Sequence, residues 1–342
     1  MDALELFCLE LPKVELHAHL HGCADVDRTL IPIAKKAGKR DELEQLEVIR
    51  KKETRSLDDC FRLFDIIHTL VVDKEALRKL ARDVIRDFAR DNVVYLELRT
   101  TPRQTEFLSR QDYLTTIIEV IRECEADASL DIMVRFVVSI NRANGVEQAT
   151  EIVELVLKTL AQNQECFIVG LDFSGNPLKG HFGDFVPVLE AARLAGLKIT
   201  IHCGEVEDPD EVFAIAQFKP ERLGHALCIP DDLKQSLFFH GDNRSAIECC
   251  PTSNCKTLEL THIRGHPHLE NWITSDCPVV LCTDDSGIFN TTLSKEFYIV
   301  AKEFKLSQSR ILEFTLRAIE NSFASTEDRE VITKKLWAQS HL

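Results

Sequence analysis

The sequence predicts a protein of the α/β class, an (α/β)8 barrel of the TIM type with extra helices between its first two strands. Eight short runs rich in apolar and β-branched residues are spread along the 342 residues, and amphipathic helical segments separate most of them. The runs are apolar along nearly their whole length, as expected for parallel strands covered on both faces, whereas an open sheet would have more polar edge strands. This alternation favours a closed parallel barrel.

The elements follow in order along the chain. The eight predicted strands cover residues 13–19, 93–99, 131–140, 167–173, 197–203, 222–226, 245–250 and 278–284. Helices are predicted over 73–91, 111–127, 146–162 and 184–196, where apolar residues recur at three- and four-residue spacing. The long interval between the first two strands contains a further helix over 56–71, which we expect to cover one end of the barrel as a lid.

Composition limits the classes of protein that are possible. No low-complexity linker, charge block or repeat divides the chain, so residues 1–342 are predicted to form one domain. With 44% hydrophobic residues the chain can bury a large core. The net charge of -15 argues against a nucleic-acid polymer or an anionic membrane surface as partner, because both require a broad basic field.

The cysteines and the N-terminal segment indicate the compartment. Twelve cysteines are scattered without a Cys-x-x-Cys pair, a pattern typical of small buried side chains kept reduced rather than of a zinc knuckle. Residues 1–15 carry acids where a secretory or mitochondrial leader carries Lys or Arg. No apolar run approaches the roughly 20 residues needed to cross a bilayer. We therefore expect a soluble cytoplasmic protein, and a monomer.

Polar residues gather at the predicted carboxyl ends of the strands, which is where barrels of this kind carry their catalytic groups. Seven of the eight predicted strands contribute to this pattern. The residues are His17 and His19 with His21 beyond them, Arg99 and Arg103, Asn141, the segment 172–177, His202 with Glu205, His225, and the pair Asp284 and Asp285. Packing alone does not account for so many polar groups at one end.

Four of these residues suggest a metal site. His17 and His19 point to one face because side chains alternate along a strand, and Asp284 ends the strand that neighbours the first one in a closed barrel. A single buried histidine is more often a hydrogen-bonded core residue than a ligand, but His202 completes a set of three. Three imidazoles and one carboxylate suit Zn²⁺ with an open position for water, whose pKa such a site lowers to about 7. We predict one Zn²⁺ per chain.

Glu205, three residues after His202, has two interpretations. It is either an acid in the first turn of the following helix, or a general acid that protonates a ring nitrogen. The first interpretation favours the ionised carboxylate, whereas proton donation needs a raised pKa of Glu205.

The stretch RTTPR, residues 99–103, also has two interpretations. It is either a plain strand-to-turn link that Pro102 ends, or a phosphate monoester site in which two threonine hydroxyls and Arg103 bind the anion.

The motifs LPKVELHAHLHG, HCGE, RLGHA and LCTDD occur in this order between residues 11 and 285. With them the chain resembles, over nearly its whole length, the adenosine deaminase superfamily of metal-dependent barrels. Four further stretches, RTTPR, GLDFSG, CPTSN and TDDSGIF, are most similar to the adenosine deaminase-like branch, the N6-methyl-AMP deaminases.

The resemblance implies a zinc site of His17, His19, His202 and Asp284. Glu205 would donate a proton to purine N1, and His225 would position and help deprotonate the zinc-bound water. Asp285 would hold a nitrogen at the purine edge, and Gly175 would present its backbone to the base. The other implied substrate contacts are His19, His21, His68, Thr100, Thr101, Pro102, Arg103 and Asn141. The implied reaction is hydrolysis of a 6-aminopurine nucleotide, foremost N6-methyl-AMP, to IMP plus methylamine.

Two positions depart from the family pattern. His21 stands where relatives usually carry Asn or Asp, and Asn141 stands where they commonly carry Asp. Both lie near the expected ribose and phosphate groups, and a neutral Asn141 would repel a phosphate less than a carboxylate does. Two alternatives stay open: an adenosine or adenine deaminase whose substrate lacks a phosphate, and a zinc-barrel binding protein without turnover.

Overall fold

The computed structural model describes residues 2–49, 51–52, 56–162, 167–238 and 245–339. Within them, eight parallel strands pair in sequence order to form a single sheet. The strands are β1 (Lys13–His19), β2 (Val93–Thr100), β3 (Met133–Asn141), β4 (Ile168–Ser174), β5 (Lys198–Cys203), β6 (Arg222–His225), β7 (Ala246–Cys249) and β8 (Val279–Leu281). All eight predicted strands are present.

A short link between β1 and the segment after β8 closes the sheet into a barrel. Ala18 forms an isolated parallel bridge with Asp284, and the backbone N–H of His19 donates to the Asp284 carbonyl at 3.0 Å. Below this link, the Glu15 carboxylate accepts hydrogen bonds from the backbone N–H and hydroxyl of Thr283 at 3.0 and 2.8 Å. The predicted barrel is confirmed, in a nearly closed form.

Helices surround the barrel. Those before β2 are α1 (Ala3–Glu10), a π-helical turn (Val26–Leu30), α2 (Ile31–Ala37), α3 (Arg40–Ile49), α4 (Leu57–Leu70) and α5 (Lys74–Arg90). Those up to β8 are α6 (Arg110–Ala126), α7 (Gly145–Gln162), α8 (Phe182–Leu194), α9 (Pro209–Phe218), α10 (Asp231–Phe238), α11 (Pro251–Thr257) and α12 (Leu269–Thr274). After β8 come α13 (Ser286–Phe289), α14 (Leu293–Phe304), α15 (Gln308–Asn321) and α16 (Thr326–Gln339), besides 3-10 turns at Arg142–Asn144 and Ile263–Gly265.

The predicted extra helices between the first two strands are confirmed. Helix α4 begins with a capping box, in which the Ser56 hydroxyl accepts from the Asp59 backbone N–H and the Asp59 carboxylate accepts from the Ser56 backbone N–H. One face of α4 presents Phe64 and His68 to the cavity at the carboxyl ends of the strands. The helix therefore covers that end of the barrel, as the sequence predicts.

The predicted end of the eighth strand was wrong. The strand stops at Leu281, three residues before Asp284. Asp284 adopts a φ of +63°, a left-handed conformation that an extended strand does not contain. The turn after β8 aims the Asp284 side chain into the barrel, so the shorter strand is part of how the site is built.

Two expectations from composition are also addressed by the structure. No disulfide links the cysteines of the described ranges, and most of these cysteines are buried. Among the helices of the same ranges, none is both long enough and apolar enough to span a bilayer.

Gly170 in β4 allows the barrel wall to pack closely. A Cβ at this position would lie 2.6 Å from the Lys198 carbonyl oxygen and 2.6 Å from the Phe323 ring. We expect Gly170→Ala to lower the free energy of unfolding by about 1–3 kcal/mol, because overpacking displaces backbone that cannot yield. Gly183→Ala is the matched control, since a Cβ there meets nothing within 4 Å and Ala favours the helix. Equal melting temperatures for the two variants would contradict this account.

Candidate active site

A cavity of about 780 Å³ lies at the carboxyl ends of the strands. Thirteen of the predicted site residues line it: His19, His21, His68, Thr100, Thr101, Arg103, Asn141, Gly175, His202, Glu205, His225, Asp284 and Asp285. Two predicted residues lie outside the lining. His17 is fully buried beneath His19, and Pro102 is buried behind the two threonines.

The floor of the cavity brings together the four predicted metal ligands. One ligand atom each from His17, His19, His202 and Asp284 lies within 4.8 Å of the others. Asp284 Oδ1 is 3.3 Å from His17 Nε2 and 3.4 Å from His19 Nε2. The Nε2 atoms of His19 and His202 are 3.2 Å apart. Three nitrogens and one carboxylate oxygen thus converge from β1, β5 and the turn after β8.

The orientation of His17 is set from behind by Glu248 in β7. His17 Nδ1 donates to Glu248 Oε2 at 2.6 Å, so in the neutral ring the lone pair is on Nε2. Arg99 supports the same carboxylate, donating from Nη2 to Oε2 at 3.0 Å. Burial opposes ionisation of Glu248, but the charges of Arg99 and Arg222 outweigh it and hold its pKa well below the usual range.

His202 has a carboxylate behind it in the same way. Its Nδ1 lies 3.0 Å from Asp172 Oδ1, and Arg99 Nη1 donates to that oxygen at 3.1 Å. Burial alone would raise the pKa of Asp172, but the charges of His202 and Arg99 keep it well below the usual range. Arg99 therefore holds both carboxylates that face histidines of the site.

Asp284 is held in its strained conformation by its neighbours. Its backbone N–H donates to the His17 carbonyl at 2.8 Å, and its Oδ2 accepts from the Ser253 hydroxyl at 2.7 Å. This leaves Oδ1 for the histidine cluster. Burial opposes the charge on Asp284, but the neighbouring His17, whose Nε2 lies 3.3 Å from Oδ1, outweighs it, so the pKa of Asp284 lies well below the usual range.

The four side chains fit a divalent metal ion. His17 Nε2 is buried and has no hydrogen-bond partner among the described residues, which is costly unless the lone pair binds a cation. Burial lowers the pKa of His19 well below its usual range, and a neutral ring is the form that ligates metal. An ionised carboxylate with three imidazoles is a donor set typical of zinc.

His225 and Glu205 flank the cluster. The His225 ring lies 5.0 Å from that of His17 and 5.1 Å from that of His202, and its backbone has a φ of +62°. Glu205 follows β5 in a turn made possible by Gly204, whose φ is +65°. Helix α9 begins only at Pro209 and is capped by Asp208. Glu205 therefore lies outside the first helical turn and faces the cavity, so the interpretation as a helix acid does not hold.

The cavity wall around Asp285 and Gly175 is closely packed. Asp285 Oδ1 is buried without a partner among the described residues, and a Cβ on Gly22 would lie 1.6 Å from it. Burial and the neighbouring charge of Asp284 raise the pKa of Asp285 well above its usual range. Across the cavity, Gly175 has a φ of +101°, and a Cβ there would lie 2.3 Å from Asn141 Oδ1. Only glycine fits at these two positions.

Another part of the cavity is lined by His21, His68 and Arg103. His21 lies with its ring 5.7 Å from that of His68, and its Nδ1 is 3.4 Å from Thr100 Oγ1. His21 Nε2 and Arg103 Nη1 are both buried without a partner among the described residues. No described carboxylate forms an ion pair with Arg103.

The pKa values at this end show that it disfavours further positive charge. Burial, then the charges of His68 and Arg103, lower the pKa of His21 well below its usual range. Partial burial and the charge of Arg103 lower the pKa of His68 to about 4. Burial also lowers the pKa of Arg103. An anion placed among these groups would pair with the unsatisfied Nη1 of Arg103 and would favour protonation of the two histidines.

The sequence analysis assigned no role to several side chains that contact the predicted site residues. They are Glu248, Asp172, which it named only within the segment 172–177, Ser253, Asn254 and Tyr113, the last with its hydroxyl 2.7 Å from Thr100 Oγ1. A signal exists for the first two, because Glu248 and Asp172 stand inside otherwise apolar strand runs, where a charged residue must have a partner. For the others, polarity alone does not distinguish a contact to the site from an ordinary helix or turn residue.

Comparisons with known proteins agree with this geometry. The family model for adenosine deaminase matches residues 12–339. The adenosine deaminase-like protein of Drosophila melanogaster is 41% identical over 330 residues, covering 95% of each chain. The apo structure of the N6-methyl-AMP deaminase of Arabidopsis thaliana is 35% identical, covers 98% of each chain and superimposes with a TM-score of 0.88. The Arabidopsis adenosine deaminase-like protein complexed with IMP is 36% identical, covers 99% of each chain and has a TM-score of 0.87.

The Ser253 hydroxyl provides a test of how Asp284 is oriented. We expect Ser253→Ala to weaken zinc affinity about 10- to 100-fold, because Asp284 loses the hydrogen bond that aims Oδ1 at the cluster. Competition with a chromophoric chelator measures this directly. Ser139→Ala is the matched control, since the Ser139 hydroxyl on β3 is buried and has no hydrogen-bond partner among the described residues. Equal zinc affinities for the two variants would remove Ser253 from this role.

Proposed function

The chain belongs to the adenosine deaminase family and is a hydrolytic deaminase, and on this premise we propose that it hydrolyses N6-methyl-AMP and related N6-substituted AMP to IMP. One water is consumed, and methylamine leaves from C6 of N6-methyl-AMP. The observation that carries the proposal is that one cavity is lined both by Arg103, whose buried Nη1 has no partner among the described residues, and by the histidine and aspartate cluster. A 5′-nucleotide likewise has both an anionic phosphate and a reacting ring carbon to be bound in one site.

We propose that His17, His19, His202 and Asp284 hold one Zn²⁺ ion. When bound there, the ion supplies a Lewis acid that lowers the pKa of water to about 7. His225 stands beside the cluster, where we propose that it holds the attacking water. The donor set and the buried, unpaired Nε2 of His17 support the choice of metal.

We propose that Glu205 donates a proton to purine N1 as water adds to C6. Its position in the turn after β5, on the cavity wall and next in sequence to Gly204, supports this role. Asp285 would bind a nitrogen at the edge of the purine through its unpaired Oδ1, and Gly175 would present its backbone to the base. Protonation of the ring removes the charge that addition would otherwise place on it.

We propose that Arg103, His21, His68, Thr100 and Thr101 bind the 5′-phosphate, with Asn141 near the ribose. Arg103 and His21 have unpaired donors or acceptors directed into a region without a paired carboxylate. Tyr113 would fix the Thr100 hydroxyl through its 2.7 Å hydrogen bond. The related Arabidopsis protein that binds IMP supports a nucleotide rather than a nucleoside as ligand.

The experiment that tests the proposal is a substrate panel of N6-methyl-AMP, AMP, adenosine and adenine with the zinc-loaded protein. Loss of the aminopurine absorbance gives the rate, and methylamine and ammonia are quantified separately. We expect N6-methyl-AMP to have the highest kcat/KM. Preference for adenosine or adenine would favour the alternative of a substrate without phosphate.

Arg103 separates these alternatives within one enzyme. We expect Arg103→Ala to raise KM for N6-methyl-AMP about 10- to 100-fold, the loss anticipated for charged hydrogen bonds. The KM for N6-methyladenosine should change little, because the nucleoside has no phosphate to lose contact with. The nucleoside is therefore the internal control. Equal increases for both substrates would count against a phosphate site at Arg103.

The proposed proton donor is tested by Glu205→Gln. Glutamine keeps the size and polarity of the side chain but does not donate a carboxyl proton, so we expect kcat to fall about 10²- to 10⁴-fold. Glu207→Gln makes the same chemical change two residues away on an exposed side chain and should leave kcat near the wild-type value. Unchanged kcat in Glu205→Gln would exclude this residue as the acid.

We propose that residues 1–342 act as one domain, as a monomer, in the cytoplasm, with a small purine nucleotide as the only partner. The family match to residues 12–339 supports a single unit.

A further inference from the structure

Three buried side chains form a chain of hydrogen bonds that leads away from the site. His225 Nδ1 lies 2.9 Å from Asn254 Oδ1, and Asn254 Nδ2 lies 3.0 Å from His266 Nε2, so the proposal below requires the two amide atoms to be exchanged. All three residues are at least nine-tenths buried. His266 does not line the cavity, so it acts on the site only through Asn254.

The protonation of His266 follows from its other nitrogen. His266 Nδ1 accepts hydrogen bonds from the backbone N–H groups of His268 and Leu269 at 3.3 and 3.1 Å. A nitrogen that accepts has a lone pair, so the single proton of the neutral ring is on Nε2. Burial, then the charges of His268 and His225, lower the pKa of His266 to about 3 and keep the ring neutral.

The proton on His266 Nε2 dictates the orientation of Asn254. The oxygen and nitrogen of a carboxamide have nearly the same shape, so the surrounding donors and acceptors decide which faces which. With the amide nitrogen toward His266, two N–H groups would oppose each other. With the oxygen toward His266, every group is paired, and the Cys249 thiol, 3.9 Å from the same end of the amide, can donate to it.

The Asn254 NH2 group then faces His225 and donates to Nδ1. We propose that His266, through Asn254, fixes neutral His225 in the tautomer with its proton on Nε2, so that His225 donates a hydrogen bond to the attacking water. This inference rests on the proposed function, which assigns His225 to that water. In this tautomer His225 Nε2 has no lone pair and does not accept the water proton. A metal ion held at the site would lower the pKa of water to about 7, so this proton would pass to bulk solvent before the addition to C6. The family resemblance implies that His225 helps to deprotonate the water. This hydrogen-bond network disfavours that role.

His266 and Asn254 are positioning residues in this account. The left-handed backbone of His225, with its φ of +62°, aims the ring, and the amide of Asn254 sets which nitrogen carries the proton. Neither effect depends on contact with substrate. Changes at His266 or Asn254 should accordingly alter kcat much more than KM.

The direct test is nitrogen-15 NMR of the histidine side chains in the full-length, zinc-loaded protein without substrate. Protonated and bare ring nitrogens have well-separated shifts, and the His225 signals are assigned from their loss in His225→Gln. We expect a protonated Nε2 and a bare Nδ1. A proton on Nδ1 would overturn the proposal. Because this measurement is made without substrate, a proton on Nδ1 would not contradict the proposed reaction. Conversely, lack of turnover of the substrate panel would contradict the proposed reaction but not the tautomer.

Variants of the network test whether it sets the tautomer. Asn254→Asp places acceptors toward both histidines, so His225 should move its proton to Nδ1. We expect kcat to fall by up to about 10²-fold, with KM little changed. His266→Gln can still accept from the backbone and donate to Asn254, and should keep the Nε2 proton. His266→Leu, of similar size, removes both functions and should populate both tautomers. If His266→Leu lowered stability but left the His225 nitrogen shifts unchanged, His266 would be structural only.

Discussion

The carboxylate of Glu248 is the interaction on which the rest of the site depends. It lies inside the barrel, fully buried, and accepts hydrogen bonds from four side chains: His17, Arg99, Thr200 and Arg222. Burying a carboxylate without partners costs several kcal/mol. A carboxylate whose oxygens are fully hydrogen-bonded avoids that cost, but only where its partners are held in place. The strands β1, β2, β5 and β6, which supply those partners, are thereby fixed around β7. The lone pair of His17 is directed to the cavity floor as a consequence.

The same hydrogen-bond network also orients His202, and it lies beside two residues with strained backbone conformations. Arg99 joins Glu248 to Asp172, and Asp172 faces His202, so two ligand rings are oriented by one guanidinium. Positive φ at His225 and Asp284 costs about 1–3 kcal/mol at each residue. Such strain persists where surrounding contacts allow no other arrangement. Here those contacts are the closure hydrogen bonds between β1 and the turn after β8, together with Ser253 on α11.

The sequence predicts what depends on local pattern and misses what depends on distant partners. Apolar β-branched runs identify all eight strands, and the two-residue period places His17 and His19 on one face. The left-handed turn at Asp284 is imposed by hydrogen bonds to β1, so no local signal shortens β8. Arg99 and Glu248 are separated by 149 residues, and polarity alone does not pair them. For Glu205, only the observed start of α9 at Pro209, capped by Asp208, excluded the interpretation as an acid of the first helical turn.

The two ends of the cavity differ in how their residues depend on one another. At the metal end, His17, Glu248, Arg99, Asp172 and His202 share buried partners, so removing one leaves charges that the others no longer balance. Arg103, His21 and His68 line the same cavity, but they do not share the carboxylates of that network, and no carboxylate is among the causes of the Arg103 pKa shift. Because the effects of substitutions add where residues have no shared partners, a change at Arg103 should disturb the buried network less than a change at Glu248 does.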